Sequence, residues 1–510
     1  VCSSDLGRVA AVAFGTDGVV CGGVTAEVVI VPIGDAWYAF DAAALGAREV
    51  ASVDPTRRLA RFDHPTDPAA GRLLDGVTAE RVRTVAAVLL AAEAVGIAQW
   101  CTETAAEYAK ARVQFGRPIG QFKGVKHRCA DMLARTELAR AAIWDAARAA
   151  DDPDAPGADL AIAAGAAIAL EAAFANAKDC VQTLGGIGFT WEHDAHIYLR
   201  RAMTLQHLVG TPDEWRQRAA RAALAGARRR LTVDLPPEAE AVRSEIHEFV
   251  TEVAGLDPFA QRARIAEAGY LTPSWPKPWG RDAGALELVV IDDEFRSAKV
   301  PRPNIGVGAW ALPNLIVYGT PEQRERWMLP TLRGEITWCQ LFSEPGAGSD
   351  LASLATRAER VEGGWRLNGQ KVWTSMAAEA EWGICLARTD PDAPKHEGIS
   401  CFMVDMRAEG VDVRPLRELT GHAMFNEVFL DDVFVPDDCL VGVENDGWRC
   451  ARTTLANERV QMGAGNTIGA GVVGVLRMID ERGLAEDARD RKSTRLNSSH
   501  VSESRMPSSA

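Results

Sequence analysis

The chain has 510 residues, too many for one hydrophobic core, so several domains are expected. Hydrophobic residues make up 47% and charged residues 25%, as in a soluble globular protein, and a net charge of -14 speaks against nucleic acid as the main partner. The ten scattered cysteines hold no C-x-x-C pair and fit a reducing, cytoplasmic setting, while no apolar run reaches the ~20 residues of a membrane span.

Both ends differ in character from the rest. "VCSSDL" at residues 1–6 and the Ser-rich tail over 491–510 lack apolar periodicity and resemble translated sequencing-adapter read-through. They are set aside, and the chain is expected to be a fragment at both ends. Residues 7–75 carry strand signals in "AEVVIVPI", "AWYAF" and the alternation around "RRLARFD". From Thr78 to about Ala225 the composition turns to Ala, Leu, Glu and Arg at helical spacing. A long first helix is predicted to end near Gly116 and Pro118, and two more cover "GVKHRCADMLARTELARAAIWDAARAA" and "ADLAIAAGAAIALEAAFANAKDCVQTLGG". Asp159 and Glu171 interrupt the Ala-rich part of the last, which reads as a buried helix. The basic run and paired prolines of "RRRLTVDLPPE" (228–238) read as a linker. A second helical region runs to about Arg333, strands follow from Trp338, and helix returns from Gly447 to about Asp490.

Three stretches carry chemistry. "LFSEPGAGSD" (341–350) combines glycines that let backbone approach a ligand with the hydroxyls of Ser343 and Ser349; taken alone, such a loop is more often an ordinary tight turn. "GQKVWTS" (369–375) is a strand whose Trp373, Thr374 and Ser375 suit a planar, hydrogen-bonding ring. "TTLANERVQMG" is a helix with Glu458 beside Arg459. Weaker signals are set aside. "GAGNTIG" (463–469) lacks the last glycine of a dinucleotide fingerprint, and His193, His196 and His207 have no metal-ligand spacing, so no metal site is expected.

Taken together, these motifs resemble those of the acyl-CoA dehydrogenase family, specifically a tandem actinobacterial type similar to steroid side-chain enzymes. The resemblance implies an α+β multidomain fold, in which a helical bundle, a β-barrel-like middle domain and a second helical bundle make one copy. Residues 7–75 would end a first-copy middle domain, 76–227 form its C-terminal helical domain, and 228–236 link the copies. Residues 237–337, 338–440 and 441–490 would be the N-terminal, middle and start of the C-terminal domain of a second copy.

The family's reaction removes two hydrogens across the α,β bond of an acyl-CoA, a carboxylate taking the α-proton while a hydride leaves for FAD. By resemblance, Phe342 and Ser343 contact the pyrimidine side of the flavin, Trp373 packs at its ring, and Thr374 and Ser375 lie beside it. Ser349 and Arg459 would serve the substrate, with Glu458 as the base. In the first copy, "HLVGT" places Val209 where one family base would be, and Ala86 falls at the other base position. That copy also lacks the tryptophan, so it is expected to be catalytically silent. It retains "ARVQFGRPIGQF" and "QTLGGIGF", whose Arg112, Phe115, Gln182, Gly185 and Gly186 match residues that meet a partner's FAD across the family's dimer interface. Lys123 departs from the usual glutamine there. The first copy is therefore expected to complete the FAD site of the second. Expected partners are an acyl-CoA substrate, an electron-transfer flavoprotein and a second copy of the chain, with neither nucleic acid nor membrane. An oxygen-using acyl-CoA oxidase and a non-catalytic scaffold are the alternatives.

Overall fold

The computed structural model describes residues 2–3, 8–14, 18–34, 36–63, 67–152, 154–229, 235–463 and 472–483. The chain divides into two compact units, Val1–Thr232 with Ala470–Ala510, and Val233–Gly469.

The first unit opens with eight short strands: β1 (Cys2–Ser3), β2 (Arg8–Val12), β3 (Val19–Cys21), β4 (Val28–Ile33), β5 (Ala36–Asp41), β6 (Arg48–Val50), β7 (Leu59–Arg61) and β8 (Arg72–Leu73). They make one sheet in the order β1-β2-β4-β5-β8 and another in the order β3-β7-β6. Alternation in "VVIVPI" turns Val29 and Val31 into a core with Val20, Phe40 and Phe62.

Helices follow: α1 (Ala79–Ala111), α2 (Lys123–Asp151), α3 (Ala158–Leu184), α4 (Ala195–Val209) and α5 (Pro212–Leu224). The Thr78 hydroxyl caps α1 by accepting from the Arg81 amide. The helix stops at Ala111, short of the expected Gly116. Arg112 is already extended, and a small hairpin, β9 (Val113–Gln114) and β10 (Arg117–Pro118), turns through Phe115 and Gly116, both left-handed. A left-handed pair at the tip closes such a turn, and Pro118 has no amide with which to extend the helix.

Small residues let the helices approach closely. A Cβ on Gly165 would stand 2.8 Å from the Ala146 Cβ and 3.0 Å from the Ala142 carbonyl oxygen. A buried polar knot ties three helices: the Asn176 amide donates to the Met132 carbonyl (2.9 Å) and to the Thr136 (2.9 Å) and Thr102 (3.2 Å) hydroxyls. By length and composition, α1 and the segment Ala158–Phe189 could cross a membrane, contrary to expectation. Their apolar faces are instead spent on the bundle core, where Ala91, Ala98, Cys101, Ala166, Leu170 and Cys180 are buried. At the start of the expected linker, Arg229 grips Asp145 of α2 at 2.8 Å. Residues 230–234 of that linker, 484–510, and residues 1 and 4–6 of the other set-aside end lie outside the described residues.

The second unit begins with α6 (Glu238–Ala254), α7 (Pro258–Glu267), α8 (Ala285–Ser297), α9 (Gly308–Tyr318) and α10 (Pro321–Arg333). Strands β11 (Trp338–Leu341), β12 (Arg357–Val361), β13 (Gly364–Ser375), β14 (Trp382–Arg388), β15 (Ile399–Asp405), β16 (Val411–Leu416), β17 (Phe425–Pro436) and β18 (Leu440–Val441) build one sheet. Its order is β16-β17-β13-β12-β14-β15-β18, with β11 running parallel to β14. Trp365, Phe402, Leu367 and Val404 fill its core, against which Trp327 and Trp338 pack. The unit ends in α11 (Gly447–Gly463); α12 (Val472–Glu481) follows in sequence, and the segment 464–471 lies outside the described residues. Most of the set-aside "GAGNTIG" falls in that segment.

Candidate active site

The glycine-rich loop after β11 is held by an ion pair that sequence reading missed. Lys371, on β13, is fully buried, and its ammonium donates to Glu344 Oε1 at 2.7 Å and to the Leu386 carbonyl at 2.8 Å. Glu344 also accepts from the amides of Ala355 (2.6 Å) and Thr356 (3.0 Å). Burial alone would raise the Glu344 carboxyl, but the Lys371 charge and these hydrogen bonds outweigh it and hold the group below its ordinary value. The backbone closes the loop further: Val372 N–H donates to the Ser343 carbonyl at 2.9 Å, and Glu344 and Ala347 exchange bonds of 3.0 Å. The acid of "SEP" is thus a bolt between loop and sheet. The available signal was alternation, since Lys371 falls on the same parity of β13 as Trp365 and Leu367.

This bolt leaves Phe342 and Ser343 on the wall of a cavity of about 430 Å³, shared with Gln340, Ser349, Leu455 and Glu458. Helix α11 is registered against α9 by Asn314 Nδ2 donating to Thr454 Oγ1 at 2.8 Å and by the Tyr318–Thr453 hydroxyl pair at 3.1 Å. That register sets Glu458, half-buried, over β11, where Gln340 Nε2 donates to its Oε2 at 3.3 Å. Arg459 points elsewhere: it is exposed and absent from the cavity wall.

The expected ring-flanking residues sit at a break in β13, where the register with β17 shifts between Lys371 and Thr374. Trp373 is left-handed there (φ 62°), 63% exposed, and edge-on to Phe425 at 6.2 Å. A bulky residue in that conformation is strained, a condition concentrated at functional sites. Thr374 is buried, and its hydroxyl has no partner among the described residues, while Ser375 is half-buried. None of the three lines the Glu458 cavity; the Val372–Ser343 bond connects their strand to its wall.

In the first unit, Asn176 of α3 lies against Thr102 of α1, and Arg218 bridges Glu80 and Asp159 near the two helix starts. The two helices therefore run parallel. From the Thr102–Asn176 contact both continue by about 13 Å at 1.5 Å per residue, bringing Arg112, Phe115, Gln182, Gly185 and Gly186 to the same end of the bundle. Phe115 is 94% exposed, and Arg112, Gln182 and both glycines are exposed too. Gly185 combines φ 67° with ψ -137°, a conformation open essentially to glycine alone.

The two positions read as missing bases also come together. Ala86 and Val209 line one cavity of about 660 Å³, with Trp37, Arg83, His207 and Trp215. Its two acids are engaged: Glu80 pairs with Arg218, and Glu214 accepts from the Thr211 amide at 2.7 Å. Among the described residues no His, Cys, Asp or Glu group is placed to hold a metal; His193 faces Trp100 and His196 faces Trp191.

Comparison with known proteins gives the family's C-terminal domain model over residues 78–224, its N-terminal domain over 219–335 and its middle domain over 339–433, all of acyl-CoA dehydrogenase. The chain is 51% identical over 481 residues to acyl-CoA dehydrogenase FadE34 of Mycobacterium tuberculosis, covering 94% of this chain and 67% of that protein. It is 44% identical over 204 residues to acyl-CoA dehydrogenase IpdE1 of the same organism, spanning 39% of this chain and about half, 52%, of that one. A solved steroid ACAD, Tcur3481-Tcur3483, matches 51% of this chain and 72% of its own at 29% identity, with a TM-score of 0.39.

Proposed function

Because this chain belongs to the acyl-CoA dehydrogenase family of oxidoreductases, we propose that it dehydrogenates an acyl-CoA thioester across the α,β bond, with Glu458 as the base. One observation carries this reading: a half-buried carboxylate opens onto the cavity walled by Phe342, Ser343 and Ser349. A thioester α-proton is too weakly acidic for a carboxylate in water. Glu458 can take it only where solvent is thinned and the carbonyl is polarised by fixed donors. Phe342 and Leu455 supply the apolar wall, and the Ser349 hydroxyl is placed for the polar arm of the substrate.

The family is FAD-dependent, and the residues fit a flavin. An exposed indole, a buried Thr374 hydroxyl without a partner among the described residues, and half-buried hydroxyls at Ser343 and Ser375 offer a flat face and ring-edge hydrogen bonds. Bound FAD would supply the acceptor for the β-hydrogen. Arg112, whose planar cation suits a pyrophosphate, and the Gln182–Gly186 turn are the candidates for the other half of that cofactor. The first unit is read as catalytically silent: among the described residues, the acids lining the cavity at Ala86 and Val209 are Glu80, paired with Arg218, and Glu214, fixed in a helix cap. We place the enzyme in the cytoplasm as an oligomer, passing electrons to an electron-transfer flavoprotein. The test is anaerobic mixing of the full-length protein with straight, branched and polycyclic acyl-CoAs. Bleaching of bound flavin by at least one class supports the reading; a protein that holds flavin but is bleached by none of them sinks it.

A further inference from the structure

We propose that Gln340, locked in one orientation by Trp310, is the positioning residue of the Glu458 carboxylate, an inference that rests on the reading of Glu458 as the base. In "WCQL" of β11, Trp338, Cys339 and Leu341 are buried and Gln340 is the half-buried exception, sharing the cavity wall with Glu458. A glutamine amide can turn either end toward a neighbour. Here Trp310 of α9 decides: its Nε1–H stands 2.6 Å from Gln340 Oε1, and an indole nitrogen is a donor only. The amide oxygen must face Trp310, so the NH2 group must face Glu458, whose Oε2 lies at 3.3 Å.

The NH2 group held against Oε2 fixes the rotation of the carboxylate, leaving Oε1, which has no partner among the described residues, for the α-proton. Other titratable groups around Glu458 are differently placed. Across the cavity, Asp350 is paired with Lys395 at 2.8 Å, and His396 lies edge-on to Trp448. On the packed elements, α9 offers Tyr318, bonded to Thr453; β11 offers Cys339; and β15 offers Cys401 and Asp405. Helix α11 itself carries Arg449, Cys450, Arg452 and Arg459. Among the described residues, Gln340 is the only hydrogen-bond partner of the Glu458 side chain.

The test uses the full-length, flavin-loaded protein with Gln340→Leu and, because that change alters a packed strand, Trp310→Phe, which keeps the ring and removes the N–H. The exchange of the substrate α-proton with solvent deuterium is read for each beside kcat and KM. Gln340→Leu is expected to lower kcat and the exchange rate at least tenfold. Trp310→Phe is expected to lower both by less, with KM changed less than kcat in both variants. If both variants keep kcat and exchange within twofold of wild type while Glu458→Gln abolishes turnover, the positioning role is overturned and the base survives. If Glu458→Gln itself turns over normally, the function proposed above falls first.

Discussion

Each unit holds a cavity, and the two differ in one kind of atom. In the first unit, a space of about 660 Å³ is bounded by Ala86 and Val209, and its acids are spent on Arg218 and on a helix cap. In the second, a smaller space of about 430 Å³ meets Glu458, which an amide holds and no cation neutralises among the described residues. Volume is therefore a poor guide to chemistry in this molecule. What separates the two cavities is a carboxylate held by a neutral side chain of its own wall, against one paired with Arg218 and one fixed in a helix cap.

The contrast can be broken first by turnover. Glu458→Gln should cost about 10²–10⁴ in kcat, the range of a general base, whereas Glu80→Gln in the first-unit cavity should change it less than twofold. Steady-state assays with an artificial electron acceptor decide this; comparable losses in both variants would erase the distinction.

A second test concerns what holds the second-unit wall. Lys371→Met leaves Glu344 buried and unpaired, and should lower stability by about 3–5 kcal/mol in chemical denaturation. A loss under 1 kcal/mol would show that the loop is held by its backbone bonds alone. The same pair predicts a pH dependence. Because the folded Glu344 carboxyl is held below its ordinary 4.5, its contribution is fully present above that value and drains away as pH falls through the depressed one. Thermal unfolding of wild type should weaken through this acidic window, and Glu344→Gln should flatten the slope.

The smallest effect expected is at Trp373. Replacing a left-handed tryptophan by glycine relieves about 1 kcal/mol of backbone strain, so Trp373→Gly should unfold no earlier than wild type while losing flavin on dialysis. Earlier unfolding with flavin retained would make the indole a packing residue only.

Much of this was readable from residues. The strand runs, the glycine loop and the Glu458 helix were placed by periodicity and turn chemistry. What escaped depends on partners distant in sequence. Lys371 meets Glu344 from 27 positions away, and a lysine in a strand reads as exposed until the sheet buries it. Gln340 acquires its role only when α9 and α11 converge on β11. The end of α1 was overrun because Arg112–Phe115 holds no helix breaker before Gly116, while its backbone already turns into a hairpin. The cavity at Ala86 and Val209 could be anticipated only as a pair of missing acids, whereas the commitment of Glu80 and Glu214 is a matter of geometry.

The central claim is that Glu458 takes the α-proton. It is tested most directly by incubating flavin-loaded wild type and Glu458→Gln anaerobically with an acyl-CoA in deuterated water and following deuterium at Cα by mass spectrometry. The account predicts exchange in wild type and none above background in the variant, with acyl-CoA still bound. Exchange at the wild-type rate in Glu458→Gln would contradict it.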